Sequence, residues 1–480
     1  MKTYQDYLEY KEKGQELDFI TAAINEYRAS PEFRIAMDAD EYEAERNITI
    51  MEFMRWLYNE AGQKLVDFTA ANNKIASNFF HRLVTQRVAY SLGNGISFAN
   101  AEKVWENGKW VVQDKTKETL GKDFDTVLYT GGLYAREHRV SYLFWNLDHC
   151  DLFKATEFCP LFDENDGSLM AGIRFWSLDW GSKPVTVVFY EADGYTKYRT
   201  RPHSKGLDLV ELEPKRAYKQ KIAHNAVDPD EVVGESNYSA IPIVPFWGSQ
   251  HKQSDLVGMR SKIDSYDLVK SGFANDLEDC AQIYWIIENA MGMSDEDLAR
   301  FRDKIKTEHI AAADTDNSKV TPYTQEIPTA ARVALLDSLR AQIYEDYGGL
   351  DVHTIAAGAT NDHIDAAYQP MDEEADDFEY QVIKAVRGVL NIIGIDDMPI
   401  FNRNRISNRK EQTEMILMAA NYLDDETIIR KLPFITPDEV DGILARKDEK
   451  DQEALMMQLA AMQSKASAEE EEEEAEEEEV

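Results

Sequence analysis

The longest apolar stripes of the chain repeat at helical spacing and lie in its second half. In residues 255–282, Met259, Ile263, Tyr266, Val269, Phe273, Leu277 and Cys280 recur every three or four positions with charged residues between them. So narrow a seam predicts a helix packed lengthwise against a neighbour. A second helix is predicted from Pro328, a residue suited to a first turn, through Leu336, Leu339, Ile343 and Tyr347 to a stop at Gly348-Gly349. The two are long enough to be antiparallel partners. A third carries Met371, Ala375, Phe378, Val382, Val386, Val389 and Ile393, with Pro370 expected to kink its first part.

Residues 3–90 also read mainly as helix. Within "NNKIASNFFHRLVTQRVAYSLGNGISF", the residues Ile75, Phe79, Leu83, Val84 and Val88 form one stripe, and Gly93-Asn94-Gly95 ends it. From about residue 96 to 247 the period changes to two. "KWVVQ", "TVLYTGGLYAREHRVSYLFW", "GIRFWSL" and "PVTVVFYEADGYTKYRT" alternate β-branched or aromatic residues with polar ones, and "ENDGS" and "EADGY" supply Asp-Gly hairpin signals. Residues 283–327 read as a small module: an apolar strand "IYWII", a charged helix "SDEDLARFRDKIK", then loop and strand. Residues 405–465 are again helical, with Thr436-Pro437 as an N-cap and first-position pair. The class is α+β.

Charge changes this picture in one respect. The formal net charge is −37, of which ten come from the glutamates of the closing "AEEEEEEAEEEEV". Such a run cannot bury enough apolar surface to offset its ordering entropy, so it predicts a disordered, solvated tail. The body is acidic as well, which weighs against tight phosphate binding by released counterions. Cys150, Cys159 and Cys280 match no metal spacing, and an odd count in 480 residues predicts buried free thiols in a reducing compartment. The N-terminus has no apolar core for a signal peptide, and no apolar run approaches the ~20 residues that span a bilayer. A soluble protein made in the cytoplasm is expected.

Candidate chemistry is sparse. The chain has no Walker A loop, dinucleotide fingerprint, nucleophile elbow or zinc-protease motif. "DTDNSK", from Asp314 and Asp316, has partial likeness to a calcium loop, but Lys319 stands where the turn glycine belongs and Gln325 where the closing glutamate belongs. It reads as a solvated loop. Glu137 and His138, adjacent on an expected strand, would face opposite ways and read as a satisfied surface pair. Glu373-Glu374 and Asp376-Asp377 read as the solvated face of a helix. No catalytic, cofactor-binding or metal-binding residue is expected, and no cofactor.

Four stretches, taken in order, resemble portal proteins of tailed bacteriophages, in the branch common in long-tailed phages of Gram-positive bacteria. They are the "NNKIASNFFHRLVTQRVAYSLGNGISF" helix, "IPIVPFWGSQHKQSDLVGMRSKIDSYDLVKSGFANDLEDCAQ", "GGLDVHTIAAGATNDHIDAAYQ" and "RISNRKEQTEMILMAANYLDDETIIRKLPFITPDEVDGILAR". The resemblance implies a portal fold with an N-terminal helical arm over 1–71 and a wing over 72–250. It places stem helices at 251–282 and 328–348, an α/β clip at 283–327 and a tunnel loop at 349–361. A long wing helix and connector would fill 362–403, a helical crown 404–465 and the disordered acidic tail 466–480.

The implied function is structural, not enzymatic: a ring, usually a dodecamer, at one capsid vertex of the virion, assembled in the host cytoplasm. Double-stranded DNA would pass through it during packaging and ejection. Its implied partners are the major capsid protein, scaffolding protein, terminase and a head-tail adaptor, with no membrane. A seamed two-helix stem needs neighbours that ring closure supplies, and an acidic channel would let DNA slide without holding it. The tunnel-loop candidates are Asp351, Val352, His353, Thr354, Ile355, Thr360 and Asn361. That stretch holds no Lys or Arg, unlike many relatives, so no electrostatic grip is expected there. Among the basic stem residues Lys252, Arg260, Lys262, Lys270, Arg332 and Arg340, four are candidates for transient phosphate contact: Lys262, Lys270, Arg332 and Arg340. The competing expectation for them is pairing with carboxylates between subunits. Asp295, Glu296, Arg300 and Lys304 are the clip candidates for partner contact. Two other classes remain open: a carboxylate-rich, metal-dependent nuclease and an acidic cytoplasmic adaptor.

Overall fold

The computed structural model describes residues 2–457 apart from 178–183, 202–205, 224–230, 281–283, 289–293, 301–318, 324–327, 355–359, 406–408, 436–438, 453–455 and scattered single or paired positions. The acidic tail, the "DTDNSK" aspartates and Thr436-Pro437 lie outside the described residues.

Three helices open the chain: α1 (Tyr4–Glu12), α2 (Glu16–Ala29) and α3 (Pro31–Glu43). Thr3 and Asp6 form a capping box on α1, while Ser30 accepts from the Phe33 amide at 3.2 Å and Pro31 opens α3. The α2 face of Phe19, Ile20, Ala23, Ile24 and Tyr27 is buried against an antiparallel five-stranded sheet. The short α4 (Ile48–Met51) and the hairpin β1 (Trp56–Tyr58) and β2 (Lys64–Val66) follow.

Residues 70–78 are not helical, although the Ile75 stripe predicted it. Their amides turn instead to a neighbouring helix: Asn73 N donates to Asn275 at 2.6 Å and Ile75 N to the Ser271 hydroxyl at 3.0 Å. Bonds to side chains here replace the i to i−4 ladder. The helix itself is α5 (Phe79–Leu92), closed by a turn with Gly95 at φ +70°.

The next elements are β3 (Ile96–Phe98), the hairpin β4 (Glu102–Glu106) and β5 (Lys109–Gln113), α6 (Lys115–Leu120) and α7 (Phe124–His138). The last corrects the sequence reading, which took "TVLYTGGLYAREH" as strand. Phe124, Leu128, Gly131, Gly132 and Ala135 form one buried helical face. The two glycines let it approach its neighbours closely: a Cβ on Gly132 would lie 3.0 Å from Phe378 and 3.2 Å from Val88. Packing there outweighs the β preference of Thr, Val and Tyr. Arg139, at φ +82°, ends the helix and launches β6 (Val140–Asn146).

β6 pairs with β7 (His149–Lys154) and, on its other edge, with β15 (Ile243–Trp247). The five-stranded sheet is a meander of β8 (Phe158–Phe162), β9 (Leu169–Trp176), β10 (Thr186–Glu191), β11 (Gly194–Thr200) and β12 (Leu209–Arg216). Both Asp-Gly signals fall at its turns, with Gly167 at φ +70° and Gly194 at φ +138°. β13 (Lys219–Ala223) and β14 (Glu231–Ser236) make a further hairpin. Cys150 and Cys159 are buried free thiols, and burial pushes the Cys150 thiol up to about 12.

Helix α8 (Asp255–Cys280) and α9 (Thr329–Tyr347) run antiparallel, since Lys262 meets Asp346 while Arg332 meets Asp276. At 1.5 Å per residue α8 is about 39 Å long. Between them, β16 (Tyr284–Glu288) pairs with β17 (Lys319–Tyr323). Gly348, left-handed at φ +67°, caps α9. The long α10 (Asn361–Ile393) is assigned without a break through Pro370, and six of its seven seam residues, Met371 to Val389, are buried. β18 (Pro399–Phe401) returns to pair with β3, and α11 (Arg409–Met418) and α12 (Asp425–Lys431) follow.

Candidate functional site

The two ends of the α8–α9 hairpin differ in their surroundings. Leu256, Met259, Ile263, Ile343, Tyr344 and Tyr347 belong to the main hydrophobic core with α5, α7 and α10. Farther out, Leu277, Val333 and Leu335 are about half exposed. The side of α8 facing the 70–78 segment is polar, with Asp267, Ser271 and Asn275 buried. Burial raises the Asp267 pKa, and Asn47 and Ser77 partly offset this by hydrogen bonding.

Where the hairpin joins the body, charges are enclosed. Asp255 opens α8 and receives Arg136 Nε of α7 at 2.8 Å and the Tyr347 hydroxyl of α9 at 2.5 Å. Arg136 also donates to the Gly248 carbonyl at 2.7 Å. Arg87 of α5 lies over the Tyr347 ring at 3.9 Å, donates to the Tyr347 carbonyl and meets Glu374 of α10 at 3.2 Å. Burial alone would lower the Arg136 pKa, but Asp255, Tyr347 and Glu374 more than offset it. Five helices thus share one network. Neither arginine drew attention in the sequence, yet each interrupts an apolar helical stripe, which was the available signal: Arg87 follows Leu83 and Arg136 follows Gly132 by one turn.

The candidate loop leaves this joint with its root fixed. A Cβ on Gly349 would lie 2.7 Å from Leu83, so the backbone approaches α5 as closely as glycine allows. Gln86 then clamps Leu350 from both sides, donating to its carbonyl at 2.9 Å and accepting from its amide at 3.0 Å. Asp351 accepts from Arg340 at 3.0 Å and from the His353 amide at 3.1 Å. Val352 and His353 are exposed in a 3-10 turn that ends at Thr354. Ile355 lies outside the described residues. Thr360 caps α10, accepting from the His363 amide at 3.4 Å, and Asn361 is its first residue.

The candidate cations of the hairpin each have a partner within the chain. Lys262 pairs with Asp346 at 2.6 Å, Arg332 with Asp276, Arg340 with Asp351, and Arg260 with Asp38 at 2.6 Å. Lys270 lies 5.6 Å over the Tyr266 ring and Lys252 4.5 Å over Trp247. Of the clip candidates, Glu296 and Arg300 are exposed and helical, while Asp295 and Lys304 lie outside the described residues.

Two further acidic groups differ from expectation or extend it. Glu137 and His138 are not a surface pair: both are about 2% exposed at the C-terminal end of α7. The acidic face of α10 is partly solvated but also holds arginines. Arg403 meets Asp372 at 3.0 Å, Glu379 at 2.9 Å and Asp376, while Arg405 meets Asp372 and donates through Nε to the Tyr90 hydroxyl at 2.7 Å. This latch ties the segment after β18 to α10. Substituting both Arg403 and Arg405 by alanine is expected to lower hydrogen-exchange protection at residues 399–405 by about tenfold, since each of the several partly exposed pairs lost contributes little by itself.

Residues 38–453 match the family described as phage portal protein, SPP1 Gp6-like, and the chain belongs to that family. The portal protein of Bacillus phage SPP1 is 23% identical over 440 residues, covering 85% of this chain and 81% of that protein. The portal protein of Clostridium phage phiCD119 is 30% identical over 236 residues, 46% of this chain. That match spans 52% of the phiCD119 protein, about half its length. Among the described residues no helix is long and apolar enough to cross a membrane.

Proposed function

We propose that this chain is the subunit of a portal ring at one capsid vertex of the virion, a dodecamer there, assembled in the host cytoplasm. Double-stranded DNA passes through the ring during packaging and ejection. The observation that carries this reading is the α8–α9 hairpin, rooted in the core but exposing Val257, Leu277, Val333 and Leu335 along its length. Such a hairpin gains cover when neighbouring copies close a heterologous ring.

In this reading α8 and α9 are the stem, β16 and β17 belong to the clip, and residues 349–361 form the tunnel loop. The segments before residue 250 and most of α10 make the wing, and the helices after residue 404 make the crown. The clip meets the terminase and later the head-tail adaptor, and the wing and crown meet the major capsid and scaffolding proteins. The chain is structural, and ATP hydrolysis belongs to the terminase. Intrachain pairing of the stem cations supports passage of DNA over tight binding, because a cation already matched by a carboxylate releases few counterions from phosphate.

Negative-stain electron microscopy with mass photometry on the full-length chain tests this. Rings with a central hole and a mass near twelve times 54.9 kDa are expected. A monomer or dimer across all concentrations would overturn it, and Mg²⁺-dependent DNA cleavage by that species would favour the nuclease reading.

A further inference from the structure

Where α3 meets the end of α7, Asp40, Glu137 and His138 each present one potential ligand atom, and all three atoms lie within 4.8 Å of one another. His138 Nε2 sits 2.9 Å from Asp40 Oδ1, and its ring stacks on Tyr134 with centroids 5.6 Å apart and planes 1° from parallel. The His138 side chain is fully enclosed, yet its Nδ1 has no hydrogen-bond partner. Glu137 is 2% exposed. Glu43 adds a second buried oxygen without a partner, its other oxygen meeting His81 at 2.5 Å.

Buried ionisable groups are normally paired, because an unpaired one forfeits its hydration with nothing in return. Lys154 is the nearby protein cation acting on both Asp40 and Glu137, and its ammonium also lies 4.4 Å over the Tyr134 ring. A cation held between the three ligand atoms would compensate the buried Glu137 carboxyl and the pair that the enclosed His138 makes with Asp40 together. We infer that Asp40, Glu137 and His138 form a binding site for one borderline divalent transition ion, Zn²⁺ or Mn²⁺. One imidazole and two carboxylates suit such ions, at bond lengths of about 2.0–2.2 Å. The ion cross-links α3 to α7, and because Ser254 donates to the Glu137 carbonyl, the cross-link reaches the residue before α8. The site differs from the calcium-like "DTDNSK" stretch and does not depend on ring formation.

The test uses the full-length chain without a metal-affinity tag, stripped with EDTA and then given Zn²⁺, Mn²⁺, Mg²⁺ or Ca²⁺ singly. Zn²⁺ or Mn²⁺ is expected to raise the melting temperature by about 2 °C or more. After gel filtration, elemental analysis is expected to find about one ion per chain. Glu137→Gln keeps the size and shape of the side chain while removing the carboxylate ligand, and its apparent affinity is expected to fall at least about tenfold. His138→Gln is expected to lose the ion as well. No shift in the wild type overturns the site. Equal shifts and equal ion content in the wild type and Glu137→Gln also overturn it, by assigning the ion to surface carboxylates.

Discussion

Replacing Arg136 with alanine is expected to destabilise the chain by about 3–5 kcal/mol, because removing one partner of a buried ion pair leaves the other uncompensated. The neighbours decide where in that range it falls. Asp255 would keep the Tyr347 hydroxyl at 2.5 Å and Arg87 at 3.8 Å, which places Arg136→Ala near the lower end. Asp255→Ala is the more damaging change: it strands a fully buried guanidinium with only the Gly248 carbonyl at 2.7 Å and Glu374 at 4.0 Å. A denaturant or thermal melt ranks the two, with the aspartate variant less stable. Melting within about 1 °C of wild type for both would show that the joint carries no net stability. The same network fixes the orientation of the first turns of α8, so amides around residues 248–259 should lose exchange protection together.

Phe378→Ala is expected to cost about 3–5 kcal/mol, as for other fully buried aromatics truncated in a core. Phe378 is 0% exposed, stacks on Phe246 with centroids 6.0 Å apart and fills the space left by Gly132. This last contact makes a sharper test. In the wild type, Gly132→Ala places a Cβ 3.0 Å from the Phe378 ring and destabilises. In the Phe378→Ala background the same methyl loses its closest contact, the neighbours at 3.2 Å, Val88 and Leu92, can relax into the cavity, and the helix gains about 1 kcal/mol of propensity. The double variant should therefore be at least as stable as Phe378→Ala alone. A strictly additive cycle would show that the two residues do not share that space.

The long helices were legible because their seams are regular and their ends carry Gly or Pro chemistry. α9 ends at Tyr347 before Gly348, and α10 keeps the Met371 to Val389 stripe in the core. The sheet turns were legible from Asp-Gly pairs. α7 was not, since its β-branched and aromatic residues alternate locally while its glycines report a close approach that only tertiary structure reveals. The 70–78 segment failed for the opposite reason: its stripe continues that of α5, but its amides found partners on α8. The Gln86 clamp on Leu350 was not legible in the sequence, because it joins positions far apart in the chain, and Arg87 and Arg136 left only the interruption of a stripe as their signal. Glu137 and His138 were misplaced with the strand they were assigned to.

α10 spans two separate cores. Phe378 to Leu390 pack into the main core, whereas Ile364, Tyr368, Met371 and Ala375 join Tyr90 and Leu350 in a small cluster of their own. Pro370, inside the span of the small cluster, cannot donate to the carbonyl one turn earlier, so the helical ladder is weakest there. The first turns of α10 are therefore a mechanical fuse. A pull on residues 349–361 can undock the small cluster while the main core stays shut, so the damage from any load on the loop is confined to a part that can re-form.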